Sequence, residues 1–207
     1  MDWNEWSKLY DTDGSLISKR LIKVKEYLKD ALINFDAPTI LNICSGQGRE
    51  TLESIVELNK DCTVFLIDLD QNTLNYAKDF SIKNNLKNIN FINEDASQVS
   101  TYINYKIPKC DIVIASGLFG HLTEIDCHNL IDFIKTKIKY GGYIIWTRNT
   151  EDDVYTKVRK YFTHNGFDEI DFYQSDSKIW SVVYNQYFGN EESEIKQHKI
   201  FNFYDGD

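Results

Sequence analysis

Long apolar runs are missing from this 207-residue chain, and none approaches the roughly 20 residues that cross a bilayer, which argues against a membrane span. Proline is scarce: Pro38 and Pro108 each sit just before an apolar run, and no Gly/Ser-rich linker, repeat or low-complexity tract marks an internal boundary. The four cysteines, Cys44, Cys62, Cys110 and Cys127, form no CxxC pair and hold no metal-ligand spacing to the histidines. Free thiols and no metal are therefore expected. Basic residues are outnumbered, 23 against 32 acidic, and a formal charge of −9 works against phosphate-backbone binding. That balance still permits a local basic pocket, and a small molecule is the expected partner. The opening "MDWNEWSKLYDTDGS" is polar and acidic, unlike a secretory signal, which points to the cytoplasm.

What the chain does have is a regular alternation. Apolar residues at Leu21, Val24, Leu28, Leu32 and Phe35 fall on one face of a helix within Ser15 to Phe35. Strand-like "TILNI", "CTVFLIDL", "INFINED", "CDIVIASG" and "GYIIWTRN" then alternate with helix-like "GRETLESIVELN", "QNTLNYAKDFSIKNN", "EIDCHNLIDFIKTKIKY" and "EDDVYTKVRKYFTHN", the fifth strand following a turn at Gly141-Gly142. Such alternation predicts right-handed crossovers and a mostly parallel, doubly wound α/β sheet with helices on both faces. Two closing strands, around "FDEIDFY" and "IWSVVYNQYF", are joined only by a loop, so one of them is expected to run antiparallel. About seven strands result, with a polar tail from 189 to 207 that is expected to be partly frayed.

Ligands of such sheets settle beyond the carboxyl ends of the strands, where strand order reverses. The first strand leaves through "CSGQG", where glycine admits close backbone approach and the next helix offers unpaired N–H groups. The second ends in "IDLD", placing Asp68 to accept from ribose hydroxyls; the third ends in "NEDA", with Asp95 able to meet an exocyclic amine or to cap a turn. The fourth opens through "ASGLFGHL".

These strand ends, in order, resemble the class I S-adenosylmethionine-dependent methyltransferases. "ILNICSGQG" is similar to their first motif, and "LIDLD", "NEDA", "CDIVIASGLF" and "KYGGYIIW" stand where the later ones do; the likeness covers roughly 20 to 185. "WSKLYDTDGSLISKRL", "SGLFGHL", "IIWTRN" and "HNGF" resemble a subgroup of small bacterial enzymes. The resemblance implies a Rossmann-like fold, S-adenosylmethionine as methyl donor and S-adenosylhomocysteine as product. It divides the chain into an N-terminal lid or helical segment (1–36), a cofactor-binding core (37–188) and the tail. It places Cys44, Ser45, Gly46 and Gly48 beside the methionine portion, Asp68 on the ribose, Leu69 against the adenine, Asp95 and Ala96 at its amino edge, and Ser116 and Gly117 under the sulfonium. Two positions depart from the motif. Asn42 replaces an acidic residue, where an amide still bonds neighbouring loop amides or the cofactor amine; Cys44 replaces a glycine, leaving the turn possible with ordinary backbone dihedrals.

On the acceptor side, His121 is the candidate general base or else a structural helix-start histidine. Trp146, Arg148 and Tyr10 are candidate acceptor contacts. Arg148 can pair with an acceptor carboxylate or phosphate, or brace the acidic "TEDD" segment; Arg20 and Arg49 pose the same choice. Trp3, Trp6 and Tyr10 can fold over the pocket or pack on the sheet edge. The expected activity is methyl transfer to an O or N atom of a small molecule. The alternatives are a non-catalytic cofactor-binding protein and an NAD-dependent oxidoreductase, the latter disfavoured because Thr51 stands where its third glycine belongs.

Overall fold

A computed structural model describes residues 8–189 and 198–203; Trp3 and Trp6 lie outside them. Helix α1 (Leu16–Leu32) follows a 3-10 turn at Lys8–Asp11. Then come β1 (Thr39–Ile43), α2 (Arg49–Leu58), β2 (Thr63–Asp68), α3 (Gln71–Lys83), β3 (Ile89–Asn93), α4 (Val99–Asn104) and β4 (Cys110–Ala115). A 3-10 turn at Phe119–His121 leads to α5 (Glu124–Lys137), β5 (Ile138–Asn149), α6 (Val154–His164), β6 (Phe167–Gln174) and β7 (Trp180–Tyr187).

The seven strands form one sheet in the order β3-β2-β1-β4-β5-β7-β6. The first five pair in parallel, and β7 is antiparallel to both β5 and β6, as the hairpin predicts. Strand order reverses between β1 and β4, so the loops leaving those two strands border the crevice. Alternate side chains build two cores. Ile40, Val64, Leu66 and Ile112 meet Val24 and Leu28 of α1, Leu52 of α2 and Leu74 of α3 on one face. Leu41, Ile43, Ile67 and Val113 meet Tyr102 of α4, Leu130 of α5 and Phe162 of α6 on the other. The buried strands therefore read as nearly continuous apolar runs.

Several details differ from expectation. α4 carries too short an apolar pattern to stand out in sequence, yet Val99 and Tyr102 are buried. β5 begins at Ile138, before Gly141-Gly142, with a register shift opposite Cys110 to Ile112. Residues 198–203 return to the body of the molecule: Lys199 bridges Gln98, and Ile200 and Phe201 are buried. α1 is joined to the core through its second half, where Ala31 and Leu32 are buried and Lys25 bridges Glu53 and Glu57 of α2, each at 2.6 Å. All four cysteines are free, with Cys62, Cys110 and Cys127 buried; burial pushes each of those three thiols up to about 12. No helix of the described residues is long and apolar enough to cross a membrane.

Candidate active site

Between β1 and α2 the chain must reverse within five residues, and backbone conformation decides how. Gly46 (φ 53°) and Gly48 (φ 60°) take left-handed dihedrals. Cys44 does too, at φ 53°, which corrects the expectation of ordinary dihedrals there: the thiol residue adopts the conformation its glycine counterpart would. Ser45 N–H donates to Ile67 O at 2.9 Å, fastening the loop to the end of β2.

Asp68 draws the loop onto the second strand end. Its Oδ2 accepts from Gly46 N–H at 2.7 Å, and its Oδ1 from Asp70 N–H at 2.9 Å. Burial nevertheless raises its carboxyl above the ordinary range, those two backbone donors only moderating the effect. Asp95 makes the turn: Oδ1 accepts from Ser97 N–H at 2.8 Å and Oδ2 from Gln98 Nε2 at 3.2 Å. Burial works upward on Asp95, but these donors outweigh it and hold the carboxyl below the usual value. Burial raises the Cys44 thiol, and the charges of Asp68 and Asp95 raise it further, so the three groups share one neighbourhood. Leu69 is exposed beside them, and Ala96 is held from beneath by Tyr102 OH on its carbonyl at 2.8 Å.

Asn42 does not turn to the loop amides. Its Nδ2 donates to Glu50 Oε1 at 2.9 Å and to Thr51 Oγ1 at 3.0 Å, while its buried Oδ1 meets no partner among the described residues. The carboxylate absent from position 42 thus stands eight residues on, at the start of α2. Glu50 is buried, which raises its carboxyl; the Asn42 amide and the Arg20 charge work in the opposite direction.

At the fourth strand end, Gly117 N–H donates to Thr147 Oγ1 at 2.7 Å. A cavity of about 300 Å³ opens there, between the first turns of α1 and the tips of β4, β5 and β7. Arg20 and His121 line it, with Leu16, Ile17, Ile179 and Trp180 as its apolar walls. A methyl built on Gly117 would stand 3.4 Å from Arg20 Nη2, so the guanidinium lies over this glycine. His121 is half-buried; burial, then the charges of Arg20 and Arg148, lower its pKa and favour neutral imidazole.

The other candidates are placed differently. Trp146 is fully buried: it stacks on Phe162 at 4.9 Å and donates through Nε1 to Asn185 at 2.9 Å, so it packs in the core, off the cavity wall. The odd-even alternation along β5 turns it onto the α6 face. Arg148 lines the cavity, yet its fork is spent on Phe119 O, Leu122 O and Asp152 Oδ2, the last at 2.8 Å; the bracing alternative is the observed one. Arg49 clasps Asp11 through two bonds of 2.6 and 3.0 Å and Gln47 at 2.7 Å. Tyr10 is outside the cavity wall and hydrogen-bonds Arg20; burial, then the Glu50 charge, pushes its hydroxyl up to about 12. Ile179 and Trp180 were not foreseen. They follow a hairpin whose position against α1 no local pattern reports.

The comparisons agree with the fold. A family model for a methyltransferase domain matches residues 34–200. An uncharacterised protein of Synechocystis sp. is 22% identical over 156 residues, covering 72% of this chain; the chain spans 30% of that relative's length. Among solved structures, an rRNA methylase from Streptococcus thermophilus is similar with TM-score 0.59 at 15% identity, covering 79% of this chain and 93% of that one. A precorrin-6y C5,15-methyltransferase from Geobacter metallireducens is similar with TM-score 0.58 at 16% identity, covering 81% and 88%.

Proposed function

The chain belongs to the class I S-adenosylmethionine-dependent methyltransferases, and we propose that it transfers the methyl group to an oxygen or nitrogen atom of a small molecule. One observation carries the reading: Gly46 and Asp68 are bonded at 2.7 Å beside Cys44 and Asp95, and the 300 Å³ cavity begins at Gly117 on the adjacent strand end. The residues fit the cofactor. A Cβ added at Gly46 would meet nothing within 4 Å, leaving open space over the loop, and the buried Ser45 hydroxyl has no partner among the described residues.

Bound there, the cofactor supplies a methyl group on positively charged sulfur, already activated for displacement. Cys44, Ser45, Gly46 and Gly48 would hold its methionine portion and Asp68 its ribose. Leu69 would pack on the adenine, with Asp95 and Ala96 at its amino edge. Ser116 and Gly117 would lie beside the reacting centre. The protein then has to align the acceptor lone pair and exclude water. Where the acceptor arrives protonated, neutral His121 on the cavity wall takes the proton.

A small acceptor suits the cavity and a chain of charge −9 better than a nucleic acid does. The rRNA methylase shares a fold, and fold does not carry substrate. Four free thiols suit a reducing cytoplasm. An NAD site is disfavoured because buried Thr51 occupies the third-glycine position and accepts from Asn42. Thermal unfolding with S-adenosylmethionine, S-adenosylhomocysteine and NAD tests the reading. The first two alone should stabilise; stabilisation by NAD alone refutes it.

A further inference from the structure

The returning C-terminal segment meets the molecule at one of the strand ends described above. Ile200 N–H donates to Ser97 O at 2.7 Å, and Val99 N–H donates to His198 O at 3.0 Å. Residues 198–200 therefore pair antiparallel with 97–99, around the bridge between Gln98 and Lys199. The stretch they pair with is the turn that follows β3 and carries Asp95 and Ala96.

The need for this pairing follows from α4. A helix leaves its first N–H groups unpaired, and a side chain at the residue before it commonly takes one. Gln98 stands at that position and makes no such bond. The first N–H of the helix, that of Val99, goes to His198 O, while the Gln98 amide turns to Asp95 Oδ2 at 3.2 Å. Asp95 Oδ1 accepts from Ser97 N–H at 2.8 Å, and its backbone carbonyl accepts from Gln98 N–H at 3.1 Å and Thr101 Oγ1 at 2.8 Å. Both donors to the carboxylate thus belong to residues that the C-terminal segment holds. The positive charge of Lys199 works in the same direction as those donors, favouring the ionised carboxylate.

The segment is itself anchored, so it can act as a brace. Ile200 and Phe201 are buried in the same core as Val99 and Tyr102. Beyond them Asn202 N–H donates to Asp126 Oδ1 at 3.1 Å, in the first turn of α5. A carboxylate has about four lone-pair sites, and two side-chain donors leave sites over for a ligand amine. Holding it still in advance removes an ordering cost from binding. We propose that residues 198–200 are a positioning element of the cofactor site: by pairing with 97–99 they fix Asp95 in the orientation that accepts from the adenine amino group. The inference rests on the placement of Asp95 at that amino edge argued above.

The test compares S-adenosylhomocysteine with its 6-deamino analogue, in which hydrogen replaces the adenine amino group, by isothermal titration well below Tm. Unaltered protein should prefer the amino form at least about tenfold, the worth of one charge-assisted hydrogen bond. A chain ending at residue 197 should lose most of that preference, keeping less than about threefold. A chain ending at residue 203 should keep it whole. Ile200→Pro deletes the N–H that Ser97 O receives and should cut the preference at least about threefold, which serves if the shorter chain does not fold. Leu32→Ala, in the core on the other face of the sheet, should lower Tm and leave the preference intact, so that positioning is separated from general destabilisation. A preference undiminished in either folded variant of the segment, or lost equally in Leu32→Ala, overturns the proposal. Unaltered protein that fails to bind S-adenosylhomocysteine refutes the cofactor reading itself. Binding without preference for the amino form leaves that reading standing and refutes the role of Asp95, and the proposal with it.

Discussion

Gly46 and Gly48 offer a paired perturbation in which stability and cofactor affinity should separate. Both glycines are left-handed, so alanine at either costs about 1–2 kcal/mol of backbone strain, part of it offset by the stiffer unfolded chain. Space then distinguishes them. At Gly48 a Cβ would lie 3.0 Å from Leu66 Cδ1 and 3.3 Å from Cδ2, on a side chain with no exposed surface. Crowding a packed core adds about 1–3 kcal/mol, for about 2–5 in sum and about 2–4 once the unfolded-chain offset is taken. At roughly 2–4 °C per kcal/mol for a chain of this size, Gly48→Ala should lower Tm by roughly 5–15 °C. At Gly46 the Cβ meets nothing within 4 Å, so Tm should fall only by roughly 2–6 °C. The same methyl, however, projects into the space assigned to the cofactor. Overlap of that kind costs about 1–3 kcal/mol, or about ten- to hundredfold in Kd. Scanning calorimetry gives Tm, and isothermal titration with S-adenosylhomocysteine well below Tm gives Kd. Gly46→Ala binding as tightly as unaltered protein would show that the open space over the loop is not the cradle.

Three further outcomes follow from the same geometry. Asp68→Asn should weaken S-adenosylhomocysteine at least about tenfold, since a charge-assisted acceptor becomes neutral. Because burial raises the Asp68 pKa, affinity should fall with decreasing pH sooner than an ordinary aspartate would dictate, and titrations between about pH 4 and pH 7 will show it. The cofactor-free protein should gain from the same protonation, because stability linked to a raised pKa is present below the unfolded value and lost as pH rises through the folded one. His121 is the opposite case: its depressed pKa gives stability that is present above the ordinary histidine value of 6.5 and lost as pH falls through the folded one. If it is the base, kcat/KM should be flat at neutrality and decline only below that value, and His121→Asn should cost about a hundredfold with protonated acceptors; a rate unchanged by that substitution removes the role. Arg148→Met should leave Phe119 O, Leu122 O and Asp152 unserved, cost about 2–4 kcal/mol and lower Tm by roughly 5–15 °C, while the Kd for S-adenosylhomocysteine stays within about twofold.

Strand ends are legible because a parallel sheet is written as local apolar runs closed by polar punctuation, and β1 begins and ends where "TILNI" does. That Gly46, Asp68 and Asp95 approach each other follows from the register of such strands and needs no long-range information. The acceptor side is different. Whether Trp146 faces a ligand or the core depends on which parity of β5 meets α6, and a twelve-residue strand with a register shift hides that parity. Arg148 looks functional in sequence because a strand-end arginine ordinarily reaches solvent. Its burial is set by the carbonyls of a 3-10 turn 29 residues earlier. Arg20 reaches Gly117 only because α1 packs across the sheet, a contact that spans 97 positions of sequence. Local patterns therefore specify the cofactor half, and tertiary packing specifies the acceptor half.

The displaced carboxylate links these halves. Position 42 carries an amide instead of the motif's acid; the acid is Glu50 on α2, bonded to Asn42 at 2.9 Å and lying within the field of Arg20. A buried carboxylate is tolerated only with such partners, so removing one is felt by the rest. Asn42→Asp would put a second acid 2.9 Å from Glu50, where two charges in low dielectric cannot both persist. One of the pair must then take a proton, and its pKa must rise further. Glu50→Gln makes the contrasting change, keeping an oxygen for the Asn42 amide while removing the charge that Arg20 senses. Asn42→Asp should therefore lower Tm increasingly as pH rises, and Glu50→Gln should change Tm little across the same range. Unfolding of Asn42→Asp measured by calorimetry across pH checks this, and a Tm that does not fall as pH rises would show that positions 42 and 50 do not share a proton.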